Sequence, residues 1–332
     1  MEMLCAGATT IVDYYRMPDA LARAAEAFGL RAMIGGRVMD ADTAALANGQ
    51  FVHDPHLGEA TLGAALELID TWDAKGDNRI STILAPHAPD TCSRQMLQTF
   101  ADLSAKTGKQ VHTHLAQSRM EVAQVRSREG LSPAELLEDA GLLSPNLVAA
   151  HCIFLDDADV RRVGQAGVVI NHAPIGNAAF GAAAPILALR EAGAKITLCT
   201  DTKSADMFEA MRMSVAAARW RADMRFVLDA KTVFGWGTVD AARALKGHAA
   251  SGTLSVGSPA DLILLDPNAP NLRPVIDGYG IVVHSGSASN VTAVMVAGEW
   301  LVKDRKPTRV DMSVVVSDAQ TVAENLWKRA SA

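Results

Sequence analysis

Seven apolar, strand-like runs alternate with helix-like stretches along this chain, and three of them end in residues able to bind a metal ion. The three are Val111-His112-Thr113-His114, Val148-Ala149-Ala150-His151 and Ile196-Thr197-Leu198-Cys199-Thr200-Asp201. Regular β–α alternation implies parallel strands joined by right-handed crossovers. In a (β/α) barrel the carboxyl ends of the strands meet at one mouth, so polar residues there converge whatever their separation in sequence.

The strands are expected at Thr9–Tyr14, Arg31–Gly36, Ile80–Pro86, Gln110–Leu115, Leu147–Cys152, Val168–His172 and Lys195–Thr200. Helices are expected at Met17–Phe28, Ala60–Ala74, Ser93–Thr107, Pro133–Ala140, Asp157–Ala166 and Pro185–Ala192, with Ser93 and Ser132 placed to cap two of them. A closed barrel has eight strands, so this count is one short. After Asp201 the pattern changes. Met207–Arg221 and Asp229–Leu245 read as helices, Ser251–Gly257 as a connector, and Asp261–Leu265, Ile281–Val283 and Val291–Val302 as short strands before a helix at Met312–Arg329. Three units result: an incomplete barrel over 1–250, a small β layer over 251–311 and a terminal helix over 312–332.

Composition supports this reading. The chain has 332 residues, 49% of them hydrophobic but only 5% aromatic, so its core rests on Ala, Val, Leu and Ile, as in parallel strands covered by helices. A net charge of −6 argues against a nucleic-acid surface. The four cysteines form no close pair, which suits free thiols in a reducing, cytoplasmic setting. No run of about 18 apolar residues is present to span a membrane, and the first residues lack the pattern of a signal peptide.

His112 and His114 lie at i and i+2, so they share one face of a strand. They serve equally as core packing or as ligands. His151 and Asp201 each end a later strand, and together His, His and Asp suit a hydrolytic Zn²⁺ or Fe²⁺ site that lowers the pKa of a water. Asp201 also reads as a helix N-cap. His87, between prolines in Ala85-Pro86-His87-Ala88-Pro89, is either a substrate contact on a rigid loop or a buried hydrogen-bonded imidazole. His172 precedes Pro174-Ile175-Gly176-Asn177, a polar loop at the rim or a simple turn. His53, His56, His248 and His284 are given no role. Phosphate-cradling glycine motifs and a serine-nucleophile elbow are missing.

The succession His112-Thr113-His114-Leu115-Ala116-Gln117-Ser118, Ala150-His151-Cys152, His172-Ala173-Pro174-Ile175-Gly176-Asn177 and Cys199-Thr200-Asp201 resembles the amidohydrolase superfamily. Within it, the chain is most similar to the chlorohydrolase and deaminase branch that includes atrazine chlorohydrolase, S-adenosylhomocysteine deaminase and guanine deaminase. Pro86–Ser93 resembles that branch's fourth-strand loop, and Gly252–Asp266 its return into a β-sandwich.

The resemblance implies a metal-dependent hydrolase that deaminates or dechlorinates an N-heterocyclic small molecule through metal-bound hydroxide. It implies one divalent ion, zinc before iron, held in part by His114 and Asp201. Asp201 also takes a proton from the water, and His151 and Gln117 complete the catalytic set. His87, His112, His172 and Asn177 line the substrate pocket. Relatives are often dimers or larger, so a homodimer is among the states the resemblance allows.

Two departures from the family pattern shape these expectations. The family's first strand, with its own His-x-His ligands, and the leading strands of its β-sandwich would lie before Met1. The chain then forms a barrel lacking its first strand, with a sandwich remnant, and the alternative to an active hydrolase is a truncated, inactive fragment. In addition, Gln117 stands where the deaminases carry a Glu that shuttles a proton. Gln cannot do so, which favours substrates whose leaving group needs little proton help.

Overall fold

The computed structural model describes residues 1–246 and 251–331. Its first 200 residues form one curved parallel sheet wrapped by helices. The strands are β1 (Thr10–Tyr15), β2 (Arg31–Val38), β3 (Ile80–Thr82), β4 (Ala85–Pro86), β5 (Val111–Leu115), β6 (Leu147–His151), β7 (Val169–His172) and β8 (Lys195–Leu198). β3 and β4 are halves of one interrupted strand, since both pair in parallel with β2. Leu84, between them, bridges to Val111 and joins this half of the sheet to β5. From there β5 to β8 pair in order.

Seven strands therefore run side by side, as the alternation predicts. Among the described residues, β1 pairs only with β2 and β8 only with β7, so the sheet is open between β8 and β1.

Alternation along the strands sorts the core into two compartments. Met33, Ile83, Val148 and Val169, with Val12, fill the inside of the curved sheet. Residues of the opposite parity, among them Val111, Leu115, Leu147, Ala149, Ile170 and Ile196, pack outward against the helices. Burying such side chains contributes about 1.5–3 kcal/mol each. Ser93 caps its helix through Met96 N–H, and Ser132 forms a full capping box with Glu135.

Beyond the barrel, β9 (Leu262–Leu265), β10 (Val291–Val296), β11 (Glu299–Lys303) and β12 (Lys306–Pro307) make an antiparallel sheet. Its inner face packs on Leu4, Leu30 and Phe208 as a second core. A buried ion pair, Arg31 Nε to Asp261 Oδ2 at 2.5 Å, ties it to the start of β2.

Several local expectations are corrected. Ile281–Val283, read as a strand, lies inside the helix Gly278–Ser285, whose first turn is capped by Asp277; a short apolar run does not by itself separate helix from strand. Asp229–Leu245 is two helices, Ala230–Trp236 and Val239–Ala244, broken at Gly237-Thr238. The helix Arg119–Glu129 was not foreseen, because it is strongly polar on most of its surface. His248 lies outside the described residues. No described helix is long and apolar enough to cross a membrane.

Candidate active site

The carboxyl ends of the strands gather the expected residues through unusual backbone as well as alternation. Ala116 after β5 (φ 49°), His151 and Cys152 at the end of β6 (72° and 53°) and Asp201 after β8 (56°) are all left-handed. Each such non-glycine residue costs about 1–3 kcal/mol, and such strain concentrates at functional sites. For His151 the consequence is direct. Strict alternation sends it outward with Leu147 and Ala149, yet its ring stacks on His114, with centroids 5.3 Å apart and planes 16° apart.

His114 is oriented from behind. Its Nδ1 lies 2.7 Å from the carbonyl oxygen of His87. A carbonyl only accepts, so Nδ1 carries the proton and the Nε2 lone pair is left for the mouth. The Tyr14 hydroxyl, at the end of β1, stands 2.5 Å from Nδ1 and 3.3 Å from Nε2.

Deeper in the mouth, His112 Nε2 is 3.4 Å from Asn171 Nδ2 and its ring meets Tyr14 edge-on at 4.7 Å. Burial comes first, and neighbouring imidazolium charge second, in driving His112 down to about 3, His114 to about 4 and His172 to about 3. All three are neutral at pH 7. His87 is likewise held well below its ordinary value by burial, then by His114, Arg37 and Arg16. It bonds Thr91 Oγ1 at 2.9 Å through Nδ1.

His172 and Asn177 sit differently from the rim expected of them. Both are 1% exposed, because Pro174–Ala179 is a helical turn rather than an open loop. His172 follows the outward parity of Ile170, and neither ring nitrogen has a partner. Asn177 turns out to hold His151: its Oδ1 lies 2.9 Å from His151 Nδ1. With Oδ1 accepting, His151 keeps its proton on Nδ1 and offers Nε2 to the mouth.

Asp201 is not a helix cap; that place before Met207–Ala222 belongs to Asp206. Its Oδ1 accepts the Thr202 N–H at 2.6 Å, and its other oxygen lies over Gly176, where a Cβ would come within 2.1 Å of it.

Gln117 is half-buried on a loop fixed by Glu121, a residue sequence reasoning passed over. The Glu121 oxygens accept the N–H groups of Ala116 (2.7 Å) and Gln117 (2.8 Å). Glu121 is fully buried, and burial followed by the charge of Asp90 pushes it up to about 8. The Ser118-x-x-Glu121 spacing of a capping box was the available signal. Tyr14, Asn171 and Thr197 were also missed. Nothing marks them except their parity near strand ends.

Whether these residues suit a divalent metal can be tested on the donors themselves. In kind they fit: neutral imidazoles with free Nε2 lone pairs, and a carboxylate. In number they fall short, because among the described residues no three His, Cys, Asp or Glu side chains are gathered closely enough to hold an ion.

An open parallel barrel with His and Asp at its strand ends defines a hydrolase-type mouth. The chain belongs to the amidohydrolase family, whose model matches residues 1–301. It is 32% identical to a 5'-deoxyadenosine deaminase of Methanosarcina barkeri, over 100% of this chain and 75% of that protein. Its fold is similar to an adenosine deaminase from Xanthomonas campestris crystallised with zinc, with a TM-score of 0.88 at 27% identity over 98% of this chain and 73% of that one. It also matches the fold of a zinc-complexed atrazine chlorohydrolase from Arthrobacter aurescens (TM-score 0.84, 22% identity, 96% and 73% coverage).

Proposed function

We propose that this chain is the catalytic body of a hydrolase that removes an amino or chloro group from an electron-poor N-heterocycle, with adenine nucleosides as the first substrate class to test. The observation that supports it most is the stacking of His114 on His151, both imidazoles aimed by hydrogen bonds through Nδ1. His114 and Asp201 would hold the metal, at a mouth that is open between β8 and β1. The chemistry such an ion would supply is a bound water of lowered pKa.

In this reading the chain's own groups do the rest. Asp201 takes the proton from the attacking water. His151, held through Nδ1 by Asn177, accepts a hydrogen bond at Nε2 from the nucleophile or the substrate. His112 and Tyr14 form the floor and exclude water beneath the heterocycle. Gln117 donates a hydrogen bond but moves no proton, so leaving groups that depart as stable anions or weakly basic amines suit this site better than an unactivated amine.

The test is to load the purified chain with zinc or iron and measure ammonia release from 5'-deoxyadenosine and adenosine, and chloride release from atrazine. Turnover that chelation abolishes and Asp201→Asn removes supports the reading. A metal-loaded chain inert towards all three would overturn it.

A second reading, a catalytically silent member of the family, has one observation in its favour: the shortfall in gathered metal donors. Metal content after dialysis separates the two.

A further inference from the structure

Behind the mouth, where β6 and β7 end, polar atoms are buried without partners. Among the described residues neither His172 Nδ1, His172 Nε2 nor Asn177 Nδ2 meets a hydrogen-bonding group. A buried polar group left unpaired costs free energy, so such atoms rarely stand idle in a folded chain.

The strand register makes these residues neighbours. β6 and β7 pair Val148 with Val169, Ala149 with Ile170 and Ala150 with Asn171. One step further sets His151 beside His172, each the last residue of its strand. Asn177, in the helical turn after β7, bonds His151 Nδ1 through Oδ1 at 2.9 Å. His172 lies near enough to feel the charge of His151, which acts on it after burial. All three residues are at most 5% exposed.

The two ends of the amide differ in kind. With Oδ1 facing His151, Asn177 turns its Nδ2 hydrogens away, and they need an acceptor. His172, kept neutral by burial, has one N–H and one lone pair, so it can supply that acceptor. An amide turned over would point Nδ2 at His151 and force the His151 proton onto Nε2.

We propose that Asn177 joins His151 and His172 into one hydrogen-bonded unit, direct at His151 and through an enclosed water at His172, and that His172 thereby fixes the tautomer of His151. Buried waters commonly bridge groups of this kind. His172 is then a positioning residue. It decides whether His151 offers the mouth an acceptor or a donor at Nε2. That consequence rests on the hydrolase reading above, whereas the tautomer itself does not.

The test is a two-bond proton–nitrogen NMR spectrum of the full chain, labelled with nitrogen-15 in histidine, without metal at pH 7. The parent is expected to show His151 as a single Nδ1–H tautomer, and His172 with one nitrogen protonated and the other accepting a hydrogen bond. His172→Phe keeps a ring in place but removes both nitrogens, and His151 is expected to become a mixture of tautomers. His172→Gln returns an acceptor and is expected to restore the single form. A folded His172→Phe chain whose His151 stays wholly Nδ1–H would overturn the proposal, and so would a mixture that His172→Gln leaves unrepaired. If His172→Phe does not fold, the parent spectrum decides: a His172 nitrogen with a free lone pair, or His151 protonated at Nε2, overturns the unit. None of these readings uses turnover, so a chain inert towards every heterocycle leaves the test intact.

Discussion

The hydroxyl of Tyr14 lies against both ring nitrogens of His114, 2.5 Å from Nδ1 and 3.3 Å from Nε2, joining β1 to β5 across the mouth of the barrel. The nearer nitrogen is Nδ1, whose proton faces both the His87 carbonyl and the tyrosine oxygen, so the Nε2 lone pair stays clear for the mouth.

Tyr14→Phe keeps the ring against His112 and removes one of the two oxygens that face the His114 Nδ1 proton. It is expected to lower stability by about 1 kcal/mol, a typical net hydrogen bond, and to weaken zinc binding by about tenfold because His114 is oriented less firmly. Urea unfolding and a zinc titration measure the two effects. Unchanged zinc binding in the variant would show that the His87 carbonyl alone orients the ring.

Gly176 gives Asp201 its place. A Cβ there would come within 2.1 Å of Asp201 Oδ2, so Gly176→Ala must displace the carboxylate. Turnover and metal retention are expected to fall at least about tenfold, with little change in the urea midpoint. Unaltered metal content and activity would mean that Asp201 tolerates the move and is not the acid-base group.

Stability should fall towards acid. His112, His114 and His172, held at about 3, 4 and 3, sit below their ordinary value of 6.5. The unfolded chain then binds more protons than the folded one between those limits. Their contribution is complete above pH 6.5 and is lost as pH falls through the folded values. Glu121 works in the opposite sense: raised from 4.5 to about 8, it contributes fully below pH 4.5 and progressively less as pH climbs to 8. Chemical denaturation from pH 4 to 9 should show both limbs, and Glu121→Gln should flatten the alkaline one. A profile level from pH 4 to 6.5 would be incompatible with neutral buried imidazoles.

Arg31 and Asp261 join barrel to β layer with side chains 4% and 7% exposed. Replacing Arg31 by Met leaves a carboxylate buried without its cation, and a loss of about 3–5 kcal/mol is expected. The double variant Arg31→Met, Asp261→Leu should recover much of it. If the single variant unfolds at the same denaturant concentration as the parent, the pair is structurally idle.

Gln117→Glu restores a group able to carry a proton. The ratio of amine to chloride release, measured on paired aminated and chlorinated heterocycles, is expected to rise at least about tenfold. An unchanged ratio would show that position 117 does not set the leaving-group preference.

By itself the sequence determined the order of the seven barrel strands, the parallel sheet and the presence of His112, His114, His151 and Asp201 near strand ends. These follow from period-two and period-3.6 patterning, which is local. The tertiary structure decided which way those residues face. His151 reaches the mouth only because its backbone turns left-handed against the outward parity of Leu147 and Ala149. His172 withdrew from the rim because it follows the outward parity of Ile170, and Asn177 because Pro174–Ala179 coils into a helical turn. Tyr14, Asn171 and Glu121 gained their roles from partners 100, 59 and 5 residues away. Hydrogen bonds between strand ends depend on how the sheet curves, and curvature is a property of all the strands together.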